Sequence, residues 1–253
     1  MRKRMRNLLS LLLVFVMLLA MMPMAMADDA LSRDLTMKGD AYYDAAQGAY
    51  VLTGEKTWQA GDVWFDQVQC NGSFRLSLDF YTGNNKINSA GWGGGDGLCV
   101  VFYADSNDIG ENGLGIGYNG CGGYGVEIDT YSNDFDPAYR HIAITKDSVE
   151  NHLAIADATS FVLDEKWHHL TIETRSGICT VYVDGNQVLE QSRVSSDGNY
   201  HLGITAGTGA GFNYHMIKNI ELVIASDWVD NDDIDPVIVP PDFPSDWTQP
   251  ITR

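Results

Sequence analysis

From about residue 35 onward the apolar positions fall in short runs broken by Gly, Asn and Asp, and no stretch keeps helical periodicity beyond about ten residues. Phe74-Arg75-Leu76-Ser77-Leu78-Asp79-Phe80 alternates strictly, which predicts a strand with one face in a core and the other in water. Residues 98–103 are apolar throughout, the pattern of a strand covered on both faces. Further strands are predicted over 61–66, 124–131, 141–146, 167–174, 178–184, 187–191, 200–206 and 217–225. Asp184-Gly185-Asn186, between two of these runs, predicts a tight hairpin, since Gly tolerates positive φ. Many short strands with no helical crossover and no internal repeat predict an all-β protein: one antiparallel β-sandwich or jelly roll.

The two ends read differently. Arg2, Lys3, Arg4 and Arg6 precede an apolar run over 8–22, and Ala25-Met26-Ala27 has the small-x-small form of a signal-peptidase site. The run is shorter than the roughly 20 residues a membrane-spanning helix needs. The expectation is a signal peptide over 1–27, a β-sandwich domain over 28–226 and no membrane insertion. Five of the seven prolines fall between Pro236 and Pro250 among several Asp, so 227–253 reads as an extended tail or linker. Its Asp spacing lacks the central Gly and terminal Glu of a calcium-binding loop.

Composition narrows the partners. The chain carries 16 Lys+Arg against 34 Asp+Glu, a formal charge of −18 that deepens to −22 once the four basic residues of the leader are removed. Such a surface repels nucleic-acid phosphates and anionic lipid. Export makes disulfides possible, and Cys70, Cys99, Cys121 and Cys179 admit three pairings, with a buried free thiol as the alternative for Cys99. No CxxC spacing occurs, which disfavours zinc held by thiolates.

The chemistry concentrates between Val126 and Ile144. On a strand, Glu127, Asp129 and Tyr131 share one face; the chain then enters a loop bearing Asn133 and Asp136 and returns through a second strand that starts at His141. Oxygen-rich positions suit Ca²⁺, whereas carboxylate with imidazole suits Mn²⁺ or a similar transition ion. Without cations these carboxylates would repel one another, and the competing reading is a solvated acidic loop. Elsewhere the functional and the plain readings stand side by side. Asp96, in a Gly-rich run interrupted by Trp92, is a ligand-binding or a turn Asp, and Trp92 is a stacking platform or a packed loop residue. Gly209 and Ala210, in the loop over 208–213, are specificity contacts or part of a short turn. His168 and His169 read as facing core and solvent in turn, while His152, His201 and His215 have no partner at useful spacing.

The Glu-x-Asp-x-Tyr-x-Asn run over 127–133, then Asp136-Pro137 and His141-Ile142-Ala143-Ile144, resembles the double-metal loop of the legume-type (L-type) lectins, which are concanavalin-like β-sandwiches. The resemblance implies that Asp129 and Asp136 bridge two ions. Calcium would add the Tyr131 carbonyl and the Asn133 side-chain oxygen, and the transition metal would add Glu127 and His141. The Asn133 to Asp136 spacing is shorter than in the plant proteins, so the loop must turn more tightly. Gly95-Asp96-Gly97-Leu98 is similar to the segment whose Asp accepts hydrogen bonds from two sugar hydroxyls, with Gly95 where Ala is usual; in that pattern the preceding peptide is cis, a state that is not legible from the sequence here. Gly113-Leu114-Gly115 is similar to the loop that donates a backbone N–H to the sugar. Residues 35–41, 61–65 and 206–217 match in the same order, so the resemblance covers roughly 35–225.

Other concanavalin-like sandwiches offer rival readings. Glu127-Ile128-Asp129 also resembles the nucleophile segment of laminarinase-type glucanases, but the second Glu that a two-carboxylate hydrolysis needs is replaced by Tyr131-Ser132. Trp167-His168-His169-Leu170 and Val181-Tyr182-Val183-Asp184-Gly185 are similar to laminin-G and pentraxin-like adhesion modules, which bind protein or proteoglycan. The reading that uses most residues is a secreted, non-enzymatic lectin in which Ca²⁺, with an Mn²⁺-like neighbour, orders a shallow site. Asp96, Gly113, Tyr131, Asn133, Gly209 and Ala210 would there bind the monosaccharide end of a glycan. A homo-oligomer would raise avidity; sugar identity is not legible.

Overall fold

The computed structural model describes residues 35–66, 72–196, 198 and 201–225; the segments 1–27 and 227–253 and Cys70, singled out above, lie outside them. The described strands form two antiparallel seven-stranded sheets. One runs β1 (Leu35–Gly39), β4 (Ala60–Phe65), β13 (His201–Gly207), β6 (Gly97–Ala104), β7 (Tyr124–Asp129), β8 (His141–Lys146), β9 (His152–Asp157). The other runs β12 (Asn186–Ser192), β11 (Ile178–Val183), β10 (His168–Arg175), β5 (Ser73–Tyr81), β14 (His215–Ala225), β3 (Ala49–Thr53), β2 (Tyr42–Asp44). Among the described residues no helix is long and apolar enough to cross a membrane.

Strand alternation makes the sandwich. Phe74, Leu76, Leu78 and Phe80 of β5 are buried and join Val100, Phe102, Val126, Ile128, Ile142 and Ile144 of the first sheet in one core. Each such side chain contributes roughly 1.5–3 kcal/mol when fully buried. β6 is apolar throughout because its second face is covered too: Cys99 and Val101 pack with Trp64, Ile116, Tyr118, Cys121 and Val149 in a smaller cluster. Cys99, Cys121 and Cys179 are buried free thiols. The predicted hairpin is present, with Asp184 (φ 46°) and Gly185 (φ 83°) as its two turn residues between the paired Val183 and Asn186.

Four strands were not expected from pattern alone; β1 entered only through the resemblance over 35–41. β3 is buried at every position and β2 is only three residues long. β9 inverts the usual alternation, with Ala154 and Ala156 packed against the core and Leu153 and Ile155 exposed at 39% and 41%. β7 also ends at Asp129, earlier than the predicted 131, and Tyr131 N–H bends back to the Asp129 carboxylate. Tyr131 therefore does not share the strand face of Glu127 and Asp129, but lies in the following loop.

Candidate functional site

Antiparallel register aligns Gly97 of β6, Asp129 of β7 and His141 of β8 in one row. Val126 and Ile128 point into the core between the sheets, so alternation turns Glu127 and Asp129 to the opposite face. His141 returns there, its Nε2 3.1 Å from Glu127 Oε1 and 3.9 Å from Asp136 Oδ1. The tight loop is held by its own carboxylates: Tyr131 N–H donates to Asp129 Oδ1 (2.8 Å) and Asn133 N–H to Asp136 Oδ2 (2.6 Å). Asp136 N–H donates in turn to the Asn133 carbonyl (3.1 Å).

These groups are buried: Glu127, Asp129 and His141 are 0%, 2% and 0% exposed. Burial, reinforced by the Asp136 and Glu127 charges, holds the Asp129 carboxyl well above the usual carboxylate range. Burial raises Asp136 as well, against the opposing pull of the Asn133 N–H. No described lysine or arginine is ion-paired with the three carboxylates, and the nearby Arg140 donates instead to the Thr130 carbonyl and Asn85 Oδ1. Glu127 Oε2 and Asp136 Oδ1 are buried without a hydrogen-bond partner. Buried carboxylates persist only when neutralised by protons or by cations, and this donor set of hard oxygens with imidazole fits divalent ions. The five acidic, amide and imidazole side chains of the expected metal set (Glu127, Asp129, Asn133, Asp136 and His141) thus lie on one hairpin.

Spacing misjudged the histidines given no partner: His215 Nδ1 lies 2.7 Å from Thr53 Oγ1, and His152 bears on the cluster itself. His152 does have partners: its Nε2 lies 2.8 Å from Glu127 Oε1 and 3.2 Å from His141 Nε2. The hydrogen bond to Glu127 raises its pKa above the ordinary histidine value. The cause of the placement is a register shift between Ile144 and Thr145, which pairs Ala154 with Ile144 but His152 with Thr145. The bulge moves His152 from the face of Ala154 to the face of Glu127. The only signal in the sequence was a His at the start of a run with small residues inward.

Beside this cluster stands Asp96. The Gly95-Asp96 peptide is cis, the state the sequence left open, and a β-carbon on Gly95 would make a tight contact at 3.1 Å from Tyr131 Cβ. Asp96 N–H donates to the Gly207 carbonyl (3.0 Å). Its side chain is buried with Oδ2 unpartnered, and burial pushes its pKa up to about 6, opposed by the Gly209 N–H. A β-carbon on Gly209 would lie 3.0 Å from Asp96 Oδ2 and 3.4 Å from Gly113 Cα. Asp96, Gly113 and Gly209, distant in sequence, therefore converge. Ala210 is drawn in by its carbonyl, which accepts from Asn88 Nδ2 (2.9 Å).

Gly113 needs a correction. Its N–H donates to the Thr208 carbonyl (3.0 Å), so it is not the open amide that the resemblance implied; Leu114, the next residue, is 37% exposed. Asn133 Nδ2 makes no hydrogen bond. Two exposed aromatics stand beside these residues. Trp92, 44% exposed, has its ring centroid 6.3 Å from that of Tyr131. Trp58, 64% exposed and not considered from sequence, donates its N–H to the Gly209 carbonyl (3.2 Å) and stands beside Gly113. His168 and His169 pair with Asp184 and Asp79 at 2.6 and 2.8 Å, away from this cluster.

Two facing seven-stranded sheets, with an acidic hairpin beside a cis-linked Asp, define a concanavalin-like sandwich of the lectin class. A model of the legume lectin beta-barrel (L-type lectin) domain matches residues 26–221, and the chain belongs to that family. Its members are carbohydrate-binding proteins rather than enzymes, which removes the glucanase reading. Over 112 residues, 43% of this chain, it is 33% identical to the serine-rich adhesin for platelets of Staphylococcus aureus strains MRSA252 and USA300. The match spans only 8% and 5% of those proteins. Among solved structures, the VIP36 exoplasmic/lumenal domain in its Ca²⁺/Man3GlcNAc-bound form superimposes with a TM-score of 0.64 at 17% identity, over 80% of this chain and 90% of that one. Basic winged bean lectin with Tn-antigen gives 0.63 at 21% identity, over 75% and 92%.

Proposed function

We propose that the protein is a secreted lectin in which calcium, with a second divalent ion beside it, orders a shallow site for the monosaccharide end of a glycan. The observation that carries this reading is the convergence of Asp96, Gly209 and Gly113 next to buried carboxylates with unpartnered oxygens. Asp129 and Asp136 would hold both ions, the Tyr131 carbonyl and Asn133 Oδ1 the calcium, and Glu127 and His141 the transition metal. Bound there, the ions supply positive charge that offsets the carboxylates and stiffens the hairpin.

The chain's own residues then do the binding. With its oxygen turned to calcium, Asn133 would offer its NH₂, buried and unpartnered, as a donor to a hydroxyl. Asp96, ionised, accepts from two vicinal hydroxyls, and the Tyr131 ring offers a face to the sugar's C–H surface. Gly209 and Ala210 form the wall opposite, and Leu114 supplies the backbone donor of its loop in place of Gly113. Secretion is supported by the leader-like segment over 1–27. The adhesin relatives suit the same chemistry, a glycan on another surface as ligand.

A glycan array tests the reading. Binding that EDTA abolishes and Ca²⁺ restores, and that Asp96→Ala and Asn133→Ala each eliminate, is expected. Binding indifferent to EDTA, or retained in both variants, would overturn it.

A further inference from the structure

The site next to calcium is more nitrogen-rich than the resemblance implies. Glu127 Oε1, His141 Nε2 and His152 Nε2 lie 2.8, 3.1 and 3.2 Å from one another, and Asp136 Oδ1 is 3.9 Å from each imidazole nitrogen. Neighbouring donors around one small ion stand about 3.0 Å apart in octahedral and about 3.4 Å apart in tetrahedral ligation, for bonds of about 2.1 Å. We propose that His152 is a direct ligand of the second ion, and that this two-histidine site selects a late transition metal, Zn²⁺, Co²⁺ or Ni²⁺, over Mn²⁺. The inference rests on the metal-binding reading above and deepens it.

The arrangement is hard to explain as an ion pair alone. Both imidazole nitrogens aim at one oxygen of Glu127 while its other oxygen, Oε2, is buried without a partner, as are Asp136 Oδ1 and His141 Nδ1. A charged pair between His152 and Glu127 would leave two ring nitrogens 3.2 Å apart competing for the same acceptor. A cation among them satisfies Glu127, both imidazoles and Asp136 together. The rings stand nearly perpendicular, at 89° with centroids 4.9 Å apart, so the two imidazoles sit side by side without a ring clash. Imidazole donors favour zinc, nickel and copper, whereas manganese prefers carboxylate, carbonyl and water. Replacing an oxygen donor by His152 shifts the site toward the former group. His152 is reached from the surface, its side chain being 10% exposed while those of Glu127 and His141 are fully buried. It therefore closes the ion's outer side.

The test uses the Ca²⁺-saturated protein, with Cu²⁺ as the probe and no sugar present. Pulsed electron paramagnetic resonance counts coordinated imidazoles directly. Two in the wild type and one in His152→Gln are expected, with Zn²⁺ affinity in a chelator competition falling at least ten-fold while Mn²⁺ affinity changes less than three-fold. One imidazole in the wild type, or equal losses for Zn²⁺ and Mn²⁺, would overturn the proposal and leave His152 a charge partner of Glu127. A Ca²⁺-loaded melting temperature matching the wild type shows that the variant is folded, and His152→Ala, which retains no donor, provides the second variant. Failure of the underlying reading is separate: it appears as glycan binding that EDTA does not touch, whatever the copper spectrum shows.

Discussion

The Asp96 carbonyl accepts two hydrogen bonds from Thr130, one from its N–H and one from its Oγ1, both at 2.8 Å. Thr130 directly follows Asp129, so the residue proposed to hold sugar and the hairpin proposed to hold metal are joined at one buried oxygen.

Thr130→Val keeps the shape and the N–H bond but removes the Oγ1 bond. One buried hydrogen bond contributes about 0.5–1.5 kcal/mol. Glycan affinity is expected to fall roughly three- to ten-fold, while Ca²⁺ affinity stays within about two-fold. Isothermal titration with each ligand checks this, and parallel losses of both would show that the bond serves the metal loop alone.

Calcium should stabilise the protein in a pH-dependent manner. Burial raises Asp96 to about 6 and Asp129 well above the ordinary 3.8. A carboxylate with a raised folded pKa binds more protons folded than unfolded. The metal-free protein therefore loses stability from these groups as pH climbs from 3.8 through about 6 and beyond. His215, buried and pushed from 6.5 down to about 3, acts the other way, losing stability as pH falls below 6.5. That term is common to metal-free and loaded protein and cancels in their difference. Ca²⁺ must displace the carboxyl protons, so the rise in Tm on adding it is expected to be several degrees larger at about pH 7.5 than at about pH 5. Equal gains, measured by thermal denaturation with EDTA and with Ca²⁺, would contradict the assignment.

Trp58 stands beside Gly113 and Gly209 at the rim, 64% exposed and held at a φ of 61°. On the proposed site, a side chain so placed would meet a second sugar ring rather than the first. Trp58→Ala is expected to leave monosaccharide affinity within about two-fold and to weaken binding of a longer glycan roughly three- to ten-fold, the scale of about one aromatic contact. Stability should hold, since little packing is lost and the β-carbon that makes a positive φ costly is present in both residues. Titration with a monosaccharide and with a trisaccharide of the array hit distinguishes this from a general loss.

Much of the fold was legible because strand alternation is a local code. β5 and β6 follow it, and the hairpin at Asp184-Gly185 follows from turn chemistry. β9 was hidden because its inward positions are Ala154 and Ala156 and its large aliphatics face outward. Glu127, Asp129, Asn133, Asp136 and His141 could be grouped from sequence because one strand, one loop and one returning strand carry them all.

His152 and Trp58 could not be grouped in that way. A register shift between Ile144 and Thr145 decides the face of His152, and backbone bonds from a distant loop place Trp58. The sequence by itself determined the all-β class, the acidic hairpin and its ligand types, since side-chain periodicity and chemistry need only near neighbours. Tertiary structure alone decided that Asp96, Gly113 and Gly209 meet, that the Gly113 amide is already engaged by Thr208, and that a second histidine joins Glu127. The reason is physical: strand order and register across a sheet are set by the packing of the whole sandwich, and a one-residue slip turns a side chain to the other face.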